Sequence, residues 1–208
     1  MEKIRGHIMR IWWISVVIVL FSSTSWGITI DELATQFAKQ PLVRADFKQA
    51  RQIKGIAKPL NAKGSMIFAR QQGLYWHQQQ PFNLVLVLTQ NKMTQIVNGE
   101  EAQVITEESN PQMFQFNNLL TAILNLDKKV LARSFSSDIK GDEKGWVLTL
   151  KPIASPINKI FNAITLSGNE FVEQVVLDDK QGDKTTINFF NQTTEPKLNQ
   201  MELNHFVP

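Results

Sequence analysis

The sequence predicts an α+β domain with one long antiparallel sheet and two or three helices. From about Leu42 onward, most of the chain is built of short apolar or alternating runs separated by turn residues, as in strands. Two segments, near residues 29–41 and 111–126, show helical spacing instead. An open sheet of about ten strands tends to curl, so we expect the helices to cover its concave face. No linker or repeat interrupts residues 28–208, which are expected to form one domain.

Residues 1–27 have the order of a cleaved secretion signal: a basic start, an apolar run over residues 11–21, and small residues that end at Gly27. We expect cleavage after Gly27 and a mature protein in the periplasm. The alternative is a retained membrane anchor, but the apolar run is shorter than the ~20 residues that cross a bilayer.

Composition argues against several classes of function. The chain has no cysteine, which excludes disulfides and thiolate metal ligands. The net charge is +3, of which the signal carries two, so the mature part gives no indication of a nucleic-acid partner. Only His77 and His205 follow the signal, and neither a nucleophile elbow nor a zinc-binding helix motif occurs. A solvated turn is expected at residues 178–183 rather than a calcium loop.

The first helix is predicted from its start signals. Thr29 and Glu32 fit a capping box, and Ile28 with Leu33 fits a hydrophobic staple. Pro41 is expected to end the helix. A second helix is predicted over residues 111–126, with proline in its first turn. A short third helix is predicted over residues 155–161, with Ser155 as its cap.

The strand pattern gives the predicted order of the sheet. A hairpin is expected at Asn98-Gly99, because this pair suits a tight two-residue turn. The run 84–88 is apolar on both sides, so both of its faces are expected to be covered. Strands are predicted at 64–70, 74–76, 84–88, 93–97, 102–106, 130–138, 146–151, 163–166, 171–177, 185–190 and 198–206.

A basic series runs along the first predicted hairpin: Arg44, Lys48, Arg51, Lys54, Lys58 and Lys63. It is interrupted only by Asp46. Two interpretations remain open. The series could dock on an acidic exporter domain or on anionic lipid head groups, or it could be a charged edge strand that blocks aggregation.

The most informative motif lies in residues 64–82, where Gly64-x-Met66-x-Phe68-x-Arg70 is followed by Leu74-x-Trp76 and Pro81. Upstream stands Phe47-x-Gln49, and downstream stand Trp146-x-Leu148-x-Leu150-x-Pro152 and Thr186-Ile187-Asn188-Phe189. In this order and spacing the chain resembles the LolA family of periplasmic lipoprotein carriers, over roughly residues 31–190.

The resemblance implies an incomplete β-barrel closed by an α-helical lid, with an apolar cavity for acyl chains. It implies an acylated lipoprotein or lipid cargo, an inner-membrane ABC-type exporter and an outer-membrane acceptor, and no metal, cofactor or catalysis. The family's functional arginine falls on Arg70, which would latch the lid through hydrogen bonds to helix backbone, and the protein is expected to be a monomer. The residues expected at the cavity or lid are Phe47, Met66, Phe68, Leu74, Trp76, Leu84, Leu86, Leu88, Met113, Phe116, Leu120, Ile123, Leu124, Trp146, Leu148 and Leu150.

The chain also departs from the family pattern. Gln71 replaces a proline, residues 92–97 lack the usual Trp and Tyr, and the C-terminal segment is reduced to residues 204–208. These departures resemble the divergent LolA-like proteins encoded with aryl polyene lipid pathways, so the cargo could be another acylated lipid.

Two other classes of function stay open at this point. One is a binding or scaffolding module of an envelope assembly with a packed core and no lipid site. The other is a lipid hydrolase or acyltransferase, which would need a nucleophile beside His77 or His205.

Overall fold

Residues 27–206, described in the computed structural model, form one eleven-stranded antiparallel sheet with helices against it. The strands follow the order β6-β5-β4-β3-β2-β1-β11-β10-β9-β8-β7, so the first and last strands of the chain meet in the middle. The sheet is curled and open, which confirms the predicted fold class. Residues 1–26 of the predicted signal, which ends at Gly27, lie outside the described residues. No helix of the described residues is long and apolar enough to cross a membrane.

The described residues form eleven strands and four α-helices. The strands are β1 (Leu42–Gln52), β2 (Leu60–Ala69), β3 (Gly73–Gln80), β4 (Leu84–Leu88), β5 (Met93–Val97), β6 (Gln103–Ile105), β7 (Phe135–Asp142), β8 (Gly145–Pro152), β9 (Phe161–Gly168), β10 (Val172–Asp179) and β11 (Lys184–Thr194). The helices are α1 (Ile30–Ala38), α2 (Pro111–Asn125), α3 (Lys128–Ser134) and α4 (Gln200–Phe206).

Helix α1 begins at the predicted cap. The Thr29 side chain accepts a hydrogen bond from the Glu32 backbone N–H, while the Glu32 carboxylate accepts from the Thr29 backbone N–H at 2.8 Å. This reciprocal pairing satisfies two donors that a helix start leaves free. Leu33 and Phe37, four residues apart, are buried on one face, so α1 packs onto the sheet through the face that its spacing predicts.

The predicted hairpin at Asn98-Gly99 is confirmed. Both residues have positive φ, 51° and 76°, as the tight hairpin turn requires, and the turn joins β5 to β6.

The concave face of the sheet holds two apolar clusters. The larger lies under α1, α2 and α3 and includes Leu33, Trp146, Leu148, Leu150 and Leu166, each at most 2% exposed. The second lies on β1 and β2, where Ala45, Met66 and Phe68 pack with Leu124 of α2. Alternation along each strand therefore directs one set of side chains toward the helices and the other outward.

The convex face carries a smaller cluster under α4. Phe206 of α4 packs there with Leu42, Ala69 and Val87. Val85 and Tyr75 join them from the same face. Strand β4 is therefore covered outside by α4, as its two-sided apolar pattern predicts.

Three sequence predictions of local structure are wrong. Residues 128–134 are helical rather than part of a strand, because Asp127 caps α3 by accepting from the backbone N–H groups of Lys129 and Val130. The predicted helix over 155–161 is only a 3-10 turn at Ile157–Lys159, without a side-chain cap from Ser155. Residues 198–206 were predicted as a strand, but they contain α4.

The interpretation of the basic series as an edge strand is also wrong. Strand β1 pairs with β2 on one side and with β11 on the other, so it lies at the centre of the sheet. Two of its charges are neutralised locally, since Arg44 pairs with Glu202 and Arg51 pairs with Asp183 at 2.8 Å.

The Arg44–Glu202 ion pair holds α4 onto the convex face. The guanidinium donates through Nε and Nη2 to both carboxylate oxygens, at 2.5 and 2.7 Å. Glu202 also accepts from the Asn199 backbone N–H at 2.8 Å. The Arg44 guanidinium is the main cause of a lowered pKa of Glu202, because a bidentate cation favours the charged carboxylate.

We expect Glu202→Gln to lower the free energy of unfolding by about 1–2 kcal/mol, because the buried pair loses its charge-assisted bonds. Chemical denaturation of both proteins at pH 7 measures this difference. Because the folded pKa of Glu202 is depressed, the wild-type advantage is present above the unfolded pKa and is lost as the pH falls through the folded pKa. The Glu202→Gln penalty should therefore shrink below about pH 4.5; a penalty that stays constant down to pH 3 would contradict this assignment.

Candidate functional site

An apolar cavity of about 100 Å³ lies between the concave face of the sheet and the ends of α1 and α2. Its walls come from β1–β3 on one side and from β9–β11 on the other. The lining residues are Phe37, Gln40, Val43, Met66, Phe68, Arg70, Leu74, Trp76, Ile123, Leu124, Leu166, Phe171, Val172, Val175, Phe189 and Gln192.

One wall of the cavity is an aromatic stack. The rings of Phe47 and Trp76 lie parallel, with centroids 3.6 Å apart, and Phe189 contacts the Trp76 ring edge-on at 6.3 Å. Glycine at position 64 allows β3 to lie close to β2 here, because a Cβ on residue 64 would stand 1.9 Å from the His77 carbonyl oxygen. The stack is rigid and apolar, which suits a surface against which a flexible chain can lie.

Arg70 lies at the mouth of the cavity, immediately after β2, and binds two helix ends at once. Its Nη2 donates to the Phe37 carbonyl of α1 at 2.8 Å. Its Nη1 donates to the Asn125 side-chain oxygen at 3.0 Å and contacts the Asn125 carbonyl of α2 at 3.3 Å. The two carbonyl acceptors lie in the last turns of their helices, where carbonyls lack i+4 partners. The Phe37 carbonyl also accepts from the Gln40 backbone N–H at 3.0 Å.

The charge of Arg70 complements the helix ends, but one of its N–H donors has no partner within the described part of the chain. The C-terminal ends of α1 and α2 each carry partial negative charge, and one guanidinium faces both. Burial lowers the pKa of Arg70, although a guanidinium remains charged throughout the ordinary pH range. Its Nε is buried and has no hydrogen-bond partner among the described residues. An unsatisfied buried donor costs about 1–3 kcal/mol, so it offsets part of the free energy that the contact contributes.

A second set of hydrogen bonds ties α1 to the turn between β9 and β10. Gln36 Nε2 donates to the carbonyls of Asn169 and Glu170 at 2.6 and 3.1 Å, and Gln40 Nε2 donates to Glu170 at 2.9 Å. Trp146 Nε1 donates to the same Asn169 carbonyl at 2.7 Å. Helix α1 is thus held at both sides of the cavity, by Arg70 on one and by two glutamines on the other.

The residues predicted for the cavity fall into three groups. Met66, Phe68, Arg70, Leu74, Trp76, Ile123 and Leu124 line it. Phe47 lies behind Trp76 and is fully buried. Trp146, Leu148 and Leu150 lie in the packed core under α1 and α3.

The remaining predicted residues lie further from the cavity. Leu84, Leu86 and Leu88 are on β4, with Leu88 buried and the other two half-buried. On α2, Met113 is 38% exposed and Leu120 is half-buried. The side chain of Phe116, also on α2, lies outside the described part of the chain.

Sequence reasoning missed the second half of the cavity wall. Leu166, Val172, Val175 and Phe189 line it from β9–β11. Their alternation within predicted strands is a signal for an inward face, but the pairing of β11 with β1 is needed to bring that face opposite Met66. Gln36 on α1 and Gln40 just after it gave no signal, because glutamine side chains are ordinarily solvated.

The alternative candidate residues lie apart from the cavity. His77 contacts the Asn83 side chain at 3.1 Å, and the ring of His205 stacks on Tyr75 on the convex face. Asp183 is paired with Arg51, and Asp179 accepts backbone N–H groups of its own turn.

A curled antiparallel sheet that encloses an apolar cavity beneath helices held by hydrogen bonds is the architecture of a container for apolar ligands. The sequence model of the outer membrane lipoprotein carrier protein LolA matches residues 39–203. The chain therefore belongs to the LolA family, a family of carriers rather than enzymes.

Solved structures with similar folds were also found. A Vibrio parahaemolyticus outer membrane lipoprotein-sorting protein domain is 9% identical, with 86% of this chain and 97% of that chain covered and a TM-score of 0.46. A LolA superfamily protein from Nitrosomonas europaea is 6% identical, with 84% and 97% covered and a TM-score of 0.47. The Pseudomonas aeruginosa MucA/MucB complex is 13% identical, with 84% and 59% covered and a TM-score of 0.39. No curated protein sequence matched the chain.

We expect Arg70→Leu to loosen the C-terminal turns of α1 and α2, because three contacts to their acceptors are lost. Backbone amide hydrogen exchange in these turns should become at least tenfold faster, while β8 and β9 keep their protection. Asn125→Ala is the matched control: it removes one side-chain acceptor and should accelerate exchange at α2 more than at α1. Unchanged exchange in Arg70→Leu would show that the guanidinium does not hold the helices.

Proposed function

We propose that this protein is a periplasmic carrier that shields acyl chains of lipoproteins in the cavity between its sheet and helices. The observation that carries this proposal is the apolar cavity itself, closed by helices that are held through a few side-chain hydrogen bonds. Family membership supports the carrier class. In this proposal cargo is received from an inner-membrane ABC-type exporter and passed to an outer-membrane acceptor. Arg70 acts as the latch of the helical lid.

The size of the cavity supports a lid that opens. At about 100 Å³ the cavity is smaller than the ~150 Å³ site that holds one benzene molecule. A long acyl chain therefore cannot enter the closed form. Movement of α1 and α2 away from the sheet would join the cavity to the space that the helices now fill. The described structure is in this view the closed form.

The energies of opening and of binding are comparable. Arg70, Gln36 and Gln40 make six hydrogen bonds at the helix ends, and each contributes about 1 kcal/mol net. Burial of one methylene gains about 0.8 kcal/mol, so roughly seven or eight buried methylenes offset these bonds alone. Opening also uncovers the apolar face of α1, including Leu33 and Phe37. A long acyl chain can replace those apolar contacts as well, whereas a short one cannot.

The same cavity also supports a second class of cargo. Its lining is almost entirely hydrocarbon and aromatic, with Arg70, Gln40 and Gln192 as its polar members. Such a lining recognises a chain rather than a particular head group. Another acylated lipid, of the aryl polyene type, is therefore the alternative cargo.

Filling the cavity tests the proposal. Val175→Phe places a larger side chain in the cavity, whereas Val176→Phe places the same side chain on the opposite face of β10, beside Thr165 and Thr186. Protein purified from periplasm without detergent would be analysed by native mass spectrometry with lipid extraction. We expect a bound acylated species in the wild type and in Val176→Phe, and at least a tenfold loss in Val175→Phe. Equal loading of both variants would exclude this cavity as the site.

Chain length provides an independent test. Titration with fluorescent or isotopically labelled fatty acyl probes of 6 to 16 carbons should show a threshold at eight carbons or more, because about eight methylenes offset the hydrogen bonds alone. Above it, each methylene should tighten binding by about fourfold, which corresponds to about 0.8 kcal/mol. Arg70→Leu should shift the threshold to shorter chains, because fewer lid bonds must break. Affinity that does not depend on chain length would contradict burial of the chain.

A further inference from the structure

The end of the sheet opposite the lid carries a basic and apolar surface, which we call the basic rim. The strand registers bring to this end the β1–β2 hairpin tip, the β3–β4 and β10–β11 turns, the start of β9 and the end of β8. Its apolar members, each more than two-fifths exposed, are Ile56, Leu60, Phe82, Ile153 and Ile160. Its exposed basic members are Lys54, Lys58, Lys151, Lys159, Lys180 and Lys184.

Local contacts join these turns into one surface. The Lys54 backbone N–H donates to the Asp183 carboxylate at 3.0 Å, which fixes the hairpin tip beside the β10–β11 turn. The Lys180 backbone N–H donates to the Ile160 carbonyl at 2.8 Å, which fixes that turn beside β9. Neighbouring strands are about 4.8 Å apart, so the row from Phe82 to Ile153 extends over roughly 30 Å.

The lysines of this rim make no close ion pairs with described residues, although Lys184 lies opposite Asp178 across β10 and β11. Within residues 27–206, none of the six forms an ion pair. Five acidic side chains lie at the same end: Glu100, Glu101, Asp178, Asp179 and Asp183. Asp183 is paired with Arg51, and Asp179 accepts backbone N–H groups of its own turn. Glu100 and Glu101 lie at the end of the row, on the β5–β6 turn.

The opposite end of the molecule is of mixed charge. Its acidic side chains are Asp31, Glu32, Glu107, Glu108, Glu143 and Glu170, and its basic side chains include Lys39, Lys92, Lys144 and Lys197. Strands of eight to eleven residues separate the two ends, which corresponds to about 30 Å. This distance is several times the ~8 Å over which physiological salt screens charges, so an anionic surface at the basic rim would attract that end without acting on the other.

We propose that the basic rim docks this protein on anionic lipid bilayers, with the aliphatic side chains inserted at the head-group boundary. Lysines near a negatively charged membrane each contribute to attraction, and exposed aliphatic groups among them add apolar burial. The lid then faces away from the bilayer. This proposal goes beyond acyl-chain carriage and does not depend on it, since a protein with an empty or filled cavity presents the same rim.

The absence of cysteine allows a site-specific test. Ile56→Cys places a single label on the basic rim, and Met201→Cys places one on α4, where the native side chain is 75% exposed. Each is labelled with a polarity-sensitive fluorophore and mixed with vesicles of phosphatidylethanolamine and phosphatidylglycerol, or of phosphatidylcholine alone. We expect a blue shift and increased intensity for the label at 56 with anionic vesicles only, reversed by 0.5 M salt, and no change at 201.

Vesicle flotation of charge-reversal variants completes the test. Lys54→Glu/Lys58→Glu reverses the charge of two side chains on the basic rim. Lys144→Glu/Lys197→Glu makes the same change in net charge at the other end of the strands. We expect the first pair to weaken binding more than tenfold, at roughly fivefold per lysine removed, and the second pair to have little effect. No flotation with anionic vesicles, or equal weakening by both pairs, would overturn the proposal. Loss of flotation with unchanged acyl-probe binding would separate this surface from the cavity.

Discussion

A single guanidinium between two helix ends is the contact on which the proposed closed form depends. Helices α1 and α2 both end at the mouth of the cavity, and the partial negative charges of their C-terminal ends would repel each other without a cation between them. Arg70 supplies this cation from a strand end, where the sheet fixes its backbone: its own N–H donates to the Pro41 carbonyl at 2.9 Å. The proposed latch is therefore anchored on the sheet and contacts the helices that would move.

The same contact would allow the proposed closed form to open. Arg70 Nε is buried and has no partner among the described residues, and each bond that Arg70 makes goes to a neutral acceptor. On the other side of the cavity, α1 is held by amide side chains, Gln36 and Gln40, which form neutral bonds of modest strength. In the proposed carrier, a ligand would replace these bonds and the apolar contacts of α1 with burial of its own hydrocarbon.

Sequence patterns could predict the sheet and half of the cavity but not the distant pairings. Alternation over Met66 and Phe68 predicts an inward face, whereas the facing wall at Val175 and Phe189 depends on the pairing of β1 with β11. Residues 198–206 were misassigned for a similar reason. In this segment the charged Glu202 is buried and the apolar Met201 is exposed. Glu202 can be buried because Arg44, far away in the chain, neutralises its carboxylate. An apolar pattern cannot reveal such a partner.

Part of the charge at the lid end follows from a helix start. Helix starts favour acidic residues, and α1 brings Asp31 and Glu32 to this end of the sheet. The β-turns at the other end have no such requirement and carry six exposed lysines. If that basic end is the one that meets a bilayer, the latch stays about 30 Å away from the head groups and from their field. Opening would then be governed by the cargo chain or by a protein that reaches Arg70, rather than by contact with the membrane.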